Sequence, residues 1–238
     1  CEKWLCSILQ SMRKILIFWI LALAWVLGFL FLESRDTVML DPAGETTKTG
    51  PEFTLVAFWD SLTAGPGASI DGSYPSILEK QLKEKNITEK SVRVINMGVS
   101  GETTTGGMER VAFVIQQKPN LILLGLWAND MLRGTNPEIT RWNLEKIIQT
   151  FHSINIPVIL LWMRSQASNG ALFREAFDSI YPDLAEKYSL PLVPFFLEGV
   201  ALVPELNTQD GIHPNKAGYE KIVNENILPI LIPYLTKE

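Results

Sequence analysis

His152 and His213 are the only imidazoles in the 238-residue chain, so a histidine base working near neutral pH must be one of them. His213 lies in the stretch QDGIHPN, with Asp210 three residues before it. In a turn that leads into a helix, both side chains can face the same way, and the carboxylate then fixes one tautomer of the imidazole. Pro214 suits the first position of that helix and sets the approach of the chain. His152, in TFHSINIP, falls at the end of an expected helix, where an imidazole commonly meets free carbonyls; it reads as structural. A histidine held by a carboxylate calls for a hydroxyl to activate and for donors to the oxyanion that results. Two serines follow apolar runs in suitable loops. Ser61 comes directly after a strand-like run and Asp60, in LVAFWDSLTAG. Ser100 lies in GVSG, a loop better suited to presenting backbone N–H groups. Ser61 is the stronger candidate nucleophile. No G-x-S-x-G occurs, which excludes the elbow of the α/β-hydrolase fold.

The elements that would position these residues alternate with regularity. Strand-like runs at Phe53–Phe58, Val92–Met97, Leu121–Leu126, Val158–Met163 and Leu192–Phe195 are nearly continuous in apolar residues. Helical periods fall between them at Tyr74–Lys85, Glu102–Gln117, Pro137–Ser153 and Ala171–Tyr188, and from Asn215 to Leu235. Such strands, separated by longer amphipathic helices, predict an α/β fold with a parallel sheet covered on both faces. Ligands of such sheets bind beyond the carboxyl ends of the strands, which is where Ser61, Ser100 and the segment WANDMLRG fall.

Composition narrows the function classes. Net charge is −5 with both signs scattered, and no basic run interleaved with aromatics marks a nucleic-acid groove. The two cysteines are Cys1 and Cys6, and no HExxH or cysteine ligand spacing occurs, so neither a metal nor another cofactor is expected. Gly65 and Gly67 lack a third glycine at Ile70, and no Gly-Lys-Ser/Thr follows a glycine loop, so phosphate cradles are excluded.

Ahead of the domain, Ile15–Leu32 carries no charge over 18 residues, about 27 Å as a helix, enough to reach across a hydrocarbon core. Arg13 and Lys14 precede it, which predicts a cytoplasmic segment 1–14, an anchor at 15–32, a polar linker at 33–52 and a domain from 53 to 238 outside the cytoplasm, periplasmic or extracellular. The alternative is a cleaved signal peptide, with the small residues Ala22 and Ala24 marking the cut and a secreted product. Met12 would make a natural start, leaving 1–11 as untranslated upstream sequence.

Four separated stretches together carry a family resemblance. AFWDSLTAG, NMGVSGETT, WANDMLRG and DGIHPN resemble the first, second, third and fifth blocks of the SGNH (GDSL) hydrolase superfamily. The arylesterase, lysophospholipase and thioesterase branch is similar over residues 176–199 as well. The resemblance implies a three-layer αβα sandwich of flavodoxin-like topology and a serine esterase, with Ser61 as nucleophile, His213 as base and Asp210 as its orienter. It further implies an oxyanion hole made of the Ser61 and Gly98 N–H groups and the Asn129 amide. The substrate would be an acyl ester or thioester; the anchor favours lipid-like esters at a membrane.

Trp59, Trp127 and Trp162 depart from that pattern, since relatives of this kind carry glycine there. Three independent changes from the smallest residue to the largest, where glycine allows positive φ and close packing, would each cost about 1–3 kcal/mol by overpacking. A single cause is simpler: UGA codons that the source organism decodes as glycine. The rival is that the tryptophans are genuine and fill the cleft, leaving an inactive acyl-binding protein.

Overall fold

The computed structural model describes residues 52–67, 71–88, 90–165 and 170–236. The expected cytoplasmic segment, anchor and all but the last residue of the linker lie outside them. Among the described residues no helix is long and apolar enough to cross a membrane.

Five strands form one sheet: β1 (Phe53–Phe58), β2 (Val92–Asn96), β3 (Leu121–Leu124), β4 (Val158–Leu161) and β5 (Leu192–Val193). Their order is β2-β1-β3-β4-β5, every pair parallel, with Leu55 opposite Val94 and Leu121. The strands β3 and β4 are apolar at every position, and β1 at all but Thr54, because both faces are covered, whereas β2 at the sheet edge carries the exposed Arg93 and Asn96. Leu55, Ala57, Leu123 and Ile159 enter one core, and Val56, Phe58, Ile122 and Leu160 enter the other. Helix α2 (Tyr74–Glu84) and the C-terminal helices fill the first face. The second is filled by α4 (Val111–Gln116), α6 (Pro137–Ser153) and α8 (Ile180–Tyr188). Each fully buried aliphatic side chain contributes about 1.5–3 kcal/mol, so the alternation of faces holds the sheet in register.

Four expected strands end early, β2 by one residue and β3, β4 and β5 by two, and three expected helices are broken. Chain after Leu124 and Leu161 leaves the sheet to form site loops. Ala171–Tyr188 divides into α7 (Ala171–Asp178) and α8, because Pro182 has no N–H for the Asp178 carbonyl and its ring crowds that carbonyl. The last helix divides in the same way. After α9 (Lys216–Lys221) the chain loosens into a π-helical turn at Ile222–Ile227, just before Pro229, which cannot donate to Glu225, and continues as α10 (Leu228–Leu235). The third break, at Arg110, separates α3 (Thr104–Glu109) from α4.

Candidate active site

Where β1 ends, Asp60 caps a single helical turn, α1 (Ser61–Ala64): its Oδ1 accepts the Leu62 N–H at 3.0 Å. Gly65, left-handed at φ 73°, closes that turn. Ser61 is thus the first residue of a helix, where the backbone N–H has no acceptor within the helix and is available to a ligand.

His213 arrives from the other end of the chain. Thr208 donates its N–H to the His213 carbonyl (2.8 Å), and Gly211, at φ 68°, lets the turn between them close. Asn215 caps α9 by accepting the Gly218 N–H. Within this turn the Asp210 Oδ1 accepts the N–H groups of Ile212 and His213 and the Thr208 hydroxyl, at 2.7–3.0 Å. Its Oδ2 lies 2.7 Å from His213 Nδ1, and His213 Nε2 lies 2.9 Å from Ser61 Oγ. With Nδ1 donating to the carboxylate, Nε2 is the lone-pair nitrogen facing the hydroxyl. These donors, the His213 N–H first and its ring next, hold the Asp210 carboxyl well below the usual carboxylate range. It therefore stays ionised beside the imidazole ring.

The two other expected oxyanion groups flank the same turn. Gly98 packs on α1 so closely that a Cβ there would stand 2.2 Å from the Ala64 nitrogen. Its N–H points to Asn96 Oδ1 at 2.9 Å. Asn129 opens α5 (Ala128–Leu132), and its Nδ2 donates to Asp60 Oδ2 and to the Glu102 carbonyl, both at 3.0 Å. Because both neighbours are acceptors, the orientation of the amide is fixed. An oxyanion would have to share or displace these contacts. Asp130 anchors the same helix: fully buried, it accepts from the Thr104 N–H (2.7 Å), the Thr104 hydroxyl (2.6 Å) and the Thr140 hydroxyl (3.2 Å).

Ser61, Asp210, His213, Gly98 and Asn129 are therefore brought together, whereas Ser100 is exposed in the loop after β2 and His152 ends α6 with its ring edge-on to Tyr188. Sequence reasoning passed over three groups. Asp60 is 1% exposed, and burial pushes its carboxyl up to about 7; the charge of Glu102 adds to the rise and the Leu62 N–H opposes it. Glu102 and Arg110 form an ion pair beside it. Asp60 was visible only as the residue before the expected nucleophile Ser61, and nothing in a helical run distinguishes Arg110.

The tryptophans are placed differently from the expectation. Trp59 and Trp127, 0% and 1% exposed, lie in the two cores beneath the rim, against Phe196 and Phe177 respectively. Trp59 covers Gly125, where a Cβ would stand 2.1 Å from the indole. None of the three tryptophans is left-handed; among the described residues the left-handed non-glycines are Asn86, Lys118, Asn155, Ser189 and Leu202. A left-handed backbone is thus no reason for glycine at 59, 127 or 162. The indole N–H groups of Trp127 and Trp162 are buried without a protein acceptor, as is the Tyr219 hydroxyl; that of Trp59 faces the Asp60 carboxyl at longer than hydrogen-bond range and slightly opposes its rise.

A hydroxyl, an imidazole and a carboxylate in hydrogen-bonded series, at the carboxyl end of a parallel sheet with helices on both faces, define a hydrolase of the acyl-transfer kind. The chain belongs to the GDSL-like Lipase/Acylhydrolase family, whose profile matches residues 57–221. It is 36% identical to Thioesterase 1/protease 1/lysophospholipase L1 of Escherichia coli over 193 residues, 81% of this chain and 85% of that protein. With an Arylesterase of Vibrio mimicus it shares 38% identity over 161 residues, 67% and 79% of the two chains. The crystal structure of AlinE4, an SGNH-hydrolase family esterase, superposes with a TM-score of 0.64 at 39% identity, covering 80% of this chain and all of that one. The protein is a carboxylic ester hydrolase of the GDSL type.

Proposed function

We propose that the protein hydrolyses acyl esters or thioesters through an acyl-enzyme on Ser61. The observation that carries this is the continuous line Ser61 Oγ, His213 Nε2, His213 Nδ1, Asp210 Oδ2, with steps of 2.9 and 2.7 Å across its two hydrogen bonds. Ser61 Oγ attacks the acyl carbonyl carbon as its proton passes to His213 Nε2, and Asp210 holds the imidazolium so formed. The carbonyl oxygen becomes an oxyanion beside the Ser61 N–H, the Gly98 N–H and the Asn129 amide. Collapse breaks the bond to the alcohol or thiol, which leaves with the proton from His213. Water, deprotonated by the same nitrogen, then releases the acid and restores the serine.

Lipid-like acyl esters fit best, because the relatives include a lysophospholipase and an apolar segment at 15–32 would hold the domain against a membrane, outside the cytoplasm. The rival reading, an acyl-binding protein without turnover, required Trp59 and Trp127 to fill the cleft; their rings belong to the cores instead. Hydrolysis of a short-chain aryl ester by the full chain, compared with Ser61→Ala, tests the proposal. Turnover is expected to vanish in the variant, and equal rates would remove the acyl-enzyme.

A further inference from the structure

Arg110 lies on neither the nucleophile nor the base, yet it touches the backbone beside Gly98 and two residues before Ser61, and it pairs with Glu102, whose carbonyl holds Asn129. It occupies the break between α3 and α4, with its side chain 18% exposed. Its Nη2 donates to the Met97 carbonyl at 2.7 Å, the residue before Gly98; the Trp59 carbonyl, two residues before Ser61, lies 3.3 Å from the same nitrogen and shares its two hydrogens with Met97 and Glu102. Its Nε donates to Glu102 Oε1 at 2.5 Å and its Nη2 to Glu102 Oε2, a two-point pair in which the Glu102 side chain is only 7% exposed. Glu102 in turn supplies the carbonyl that holds the Asn129 amide at 3.0 Å. The guanidinium lies 4.5 Å from the centre of the Phe58 ring, at the end of β1. One planar cation therefore joins the ends of β1 and β2 to the loop between β2 and α3. A lysine, with a single point of charge, could not make these contacts at once.

We infer that Arg110, with Glu102, is the positioning residue of the oxyanion hole: it sets the spacing of the Ser61 N–H, the Gly98 N–H and the Asn129 amide without touching substrate. This rests on the acyl-enzyme reading above. Backbone donors stabilise an oxyanion only when preorganised at about 2.7–3.1 Å from it. A frame that loosens by a fraction of an ångström therefore lowers kcat while leaving ground-state binding in place.

The test is steady-state hydrolysis of a short-chain aryl ester by the full chain, with melting temperature as the check on folding. Arg110→Lys is expected to lower kcat on the order of 100-fold and to leave KM within about threefold. In an Asn129→Ala background the same change is expected to lower kcat by clearly less than in the parent chain, since one of the three donors it positions is already gone while the Ser61 and Gly98 N–H groups still depend on it. Costs that multiply, or an unchanged kcat in folded Arg110→Lys, would overturn the inference. Should Arg110→Lys fail to fold, Glu102→Gln decides. It removes the ion pair and keeps the carbonyl that holds Asn129; a lowered kcat at unchanged KM supports the assignment and an unchanged kcat overturns it. Ser61→Ala runs alongside. Full turnover in that variant brings down the acyl-enzyme and this inference together, whereas an inactive Ser61→Ala beside a normal Arg110→Lys brings down this inference alone.

Discussion

Replacing Asp60 by asparagine should change how stability depends on pH, by an amount the structure fixes. Asp60 is buried under the site, with Leu62 and Asn129 as its donors, and its carboxyl rises from an ordinary 3.8 to about 7. A carboxyl with a raised folded pKa binds its proton more tightly in the folded chain than in the unfolded one. The stabilisation this gives is complete below about pH 4, is lost as pH rises toward 7, and then stays constant. The gap of about 3 pH units corresponds to about 4 kcal/mol at most. Asparagine carries no charge at any pH. The difference in unfolding free energy, Asp60→Asn minus parent, should therefore grow in favour of the variant by about 1.4 kcal/mol per pH unit between pH 4 and 7, then level off. Urea unfolding of both full chains at pH 4.5, 5.5, 6.5 and 7.5 measures it. Taking the difference cancels every other titrating group, including Asp210, whose depressed carboxyl removes stability only at lower pH. The new contact between two amides at 60 and 129 adds an offset but no slope. A difference that stays flat across the range would refute the reasoning, because Asp60 would then ionise as it does in water.

Asp210→Asn removes the charge that faces the imidazole and should lower kcat by about 10³- to 10⁴-fold at little changed KM; steady-state kinetics with an aryl ester checks it. Gly98→Ala drives a Cβ to within 2.2 Å of the Ala64 nitrogen and 2.7 Å of the Thr63 carbonyl carbon. It should lower the melting temperature by the equivalent of about 1–3 kcal/mol and reduce kcat as well, because the Gly98 N–H moves with the strain.

Part of the candidate site was legible because its chemistry is local in sequence. Asp210 and His213 share one turn, and Ser61 directly follows the apolar run that becomes β1, whereas the cap that Asp60 places on α1 was not read from it. The parallel sheet was legible for the same kind of reason, since its central strands, buried on both faces, are apolar at nearly every position. The limits of the elements were less so. Nothing in the period of Ala171–Tyr188 marks a break, though Pro182 was there to cause one, and the π-helical turn before Pro229 had the same available signal. Arg110 was out of reach for another reason. Its partners lie 8, 13 and 51 residues away, and only the crossovers of the sheet bring Trp59, Met97 and Glu102 around one guanidinium. The double role of Asn129, as expected oxyanion donor and as donor to Asp60 and Glu102, was hidden because residue type alone does not show which acceptors compete.

The tryptophans bear on whether this chain is the one its organism makes. The buried indole N–H groups of Trp127 and Trp162 lack protein acceptors, and that of Trp59 has only the Asp60 carboxyl near it. A buried N–H left without a partner costs about 1–3 kcal/mol, a cost that glycine at these positions would not carry. Trp142, by contrast, is half exposed. The family is named for Gly-Asp-Ser-Leu, and this chain reads Trp59-Asp60-Ser61-Leu62. Decoding of UGA as glycine accounts for both facts at once. Against it stands the fit of Trp59 over Gly125 and against Phe196, 4.7 Å between ring centres, a space that a glycine at 59 would leave for Phe196 and Tyr74 to close. The tryptic peptide Thr49–Lys80 contains no internal lysine or arginine, so mass spectrometry of the protein from its source cells reads position 59 directly, and with fluorophosphonate labelling it reads Ser61 in the same peptide. Glycine at 59 with an adduct on Ser61 is the expected result. Tryptophan at 59, or UGG at codons 59, 127 and 162, would end the decoding explanation, and a tryptophan peptide left unlabelled would remove the acyl-enzyme with it.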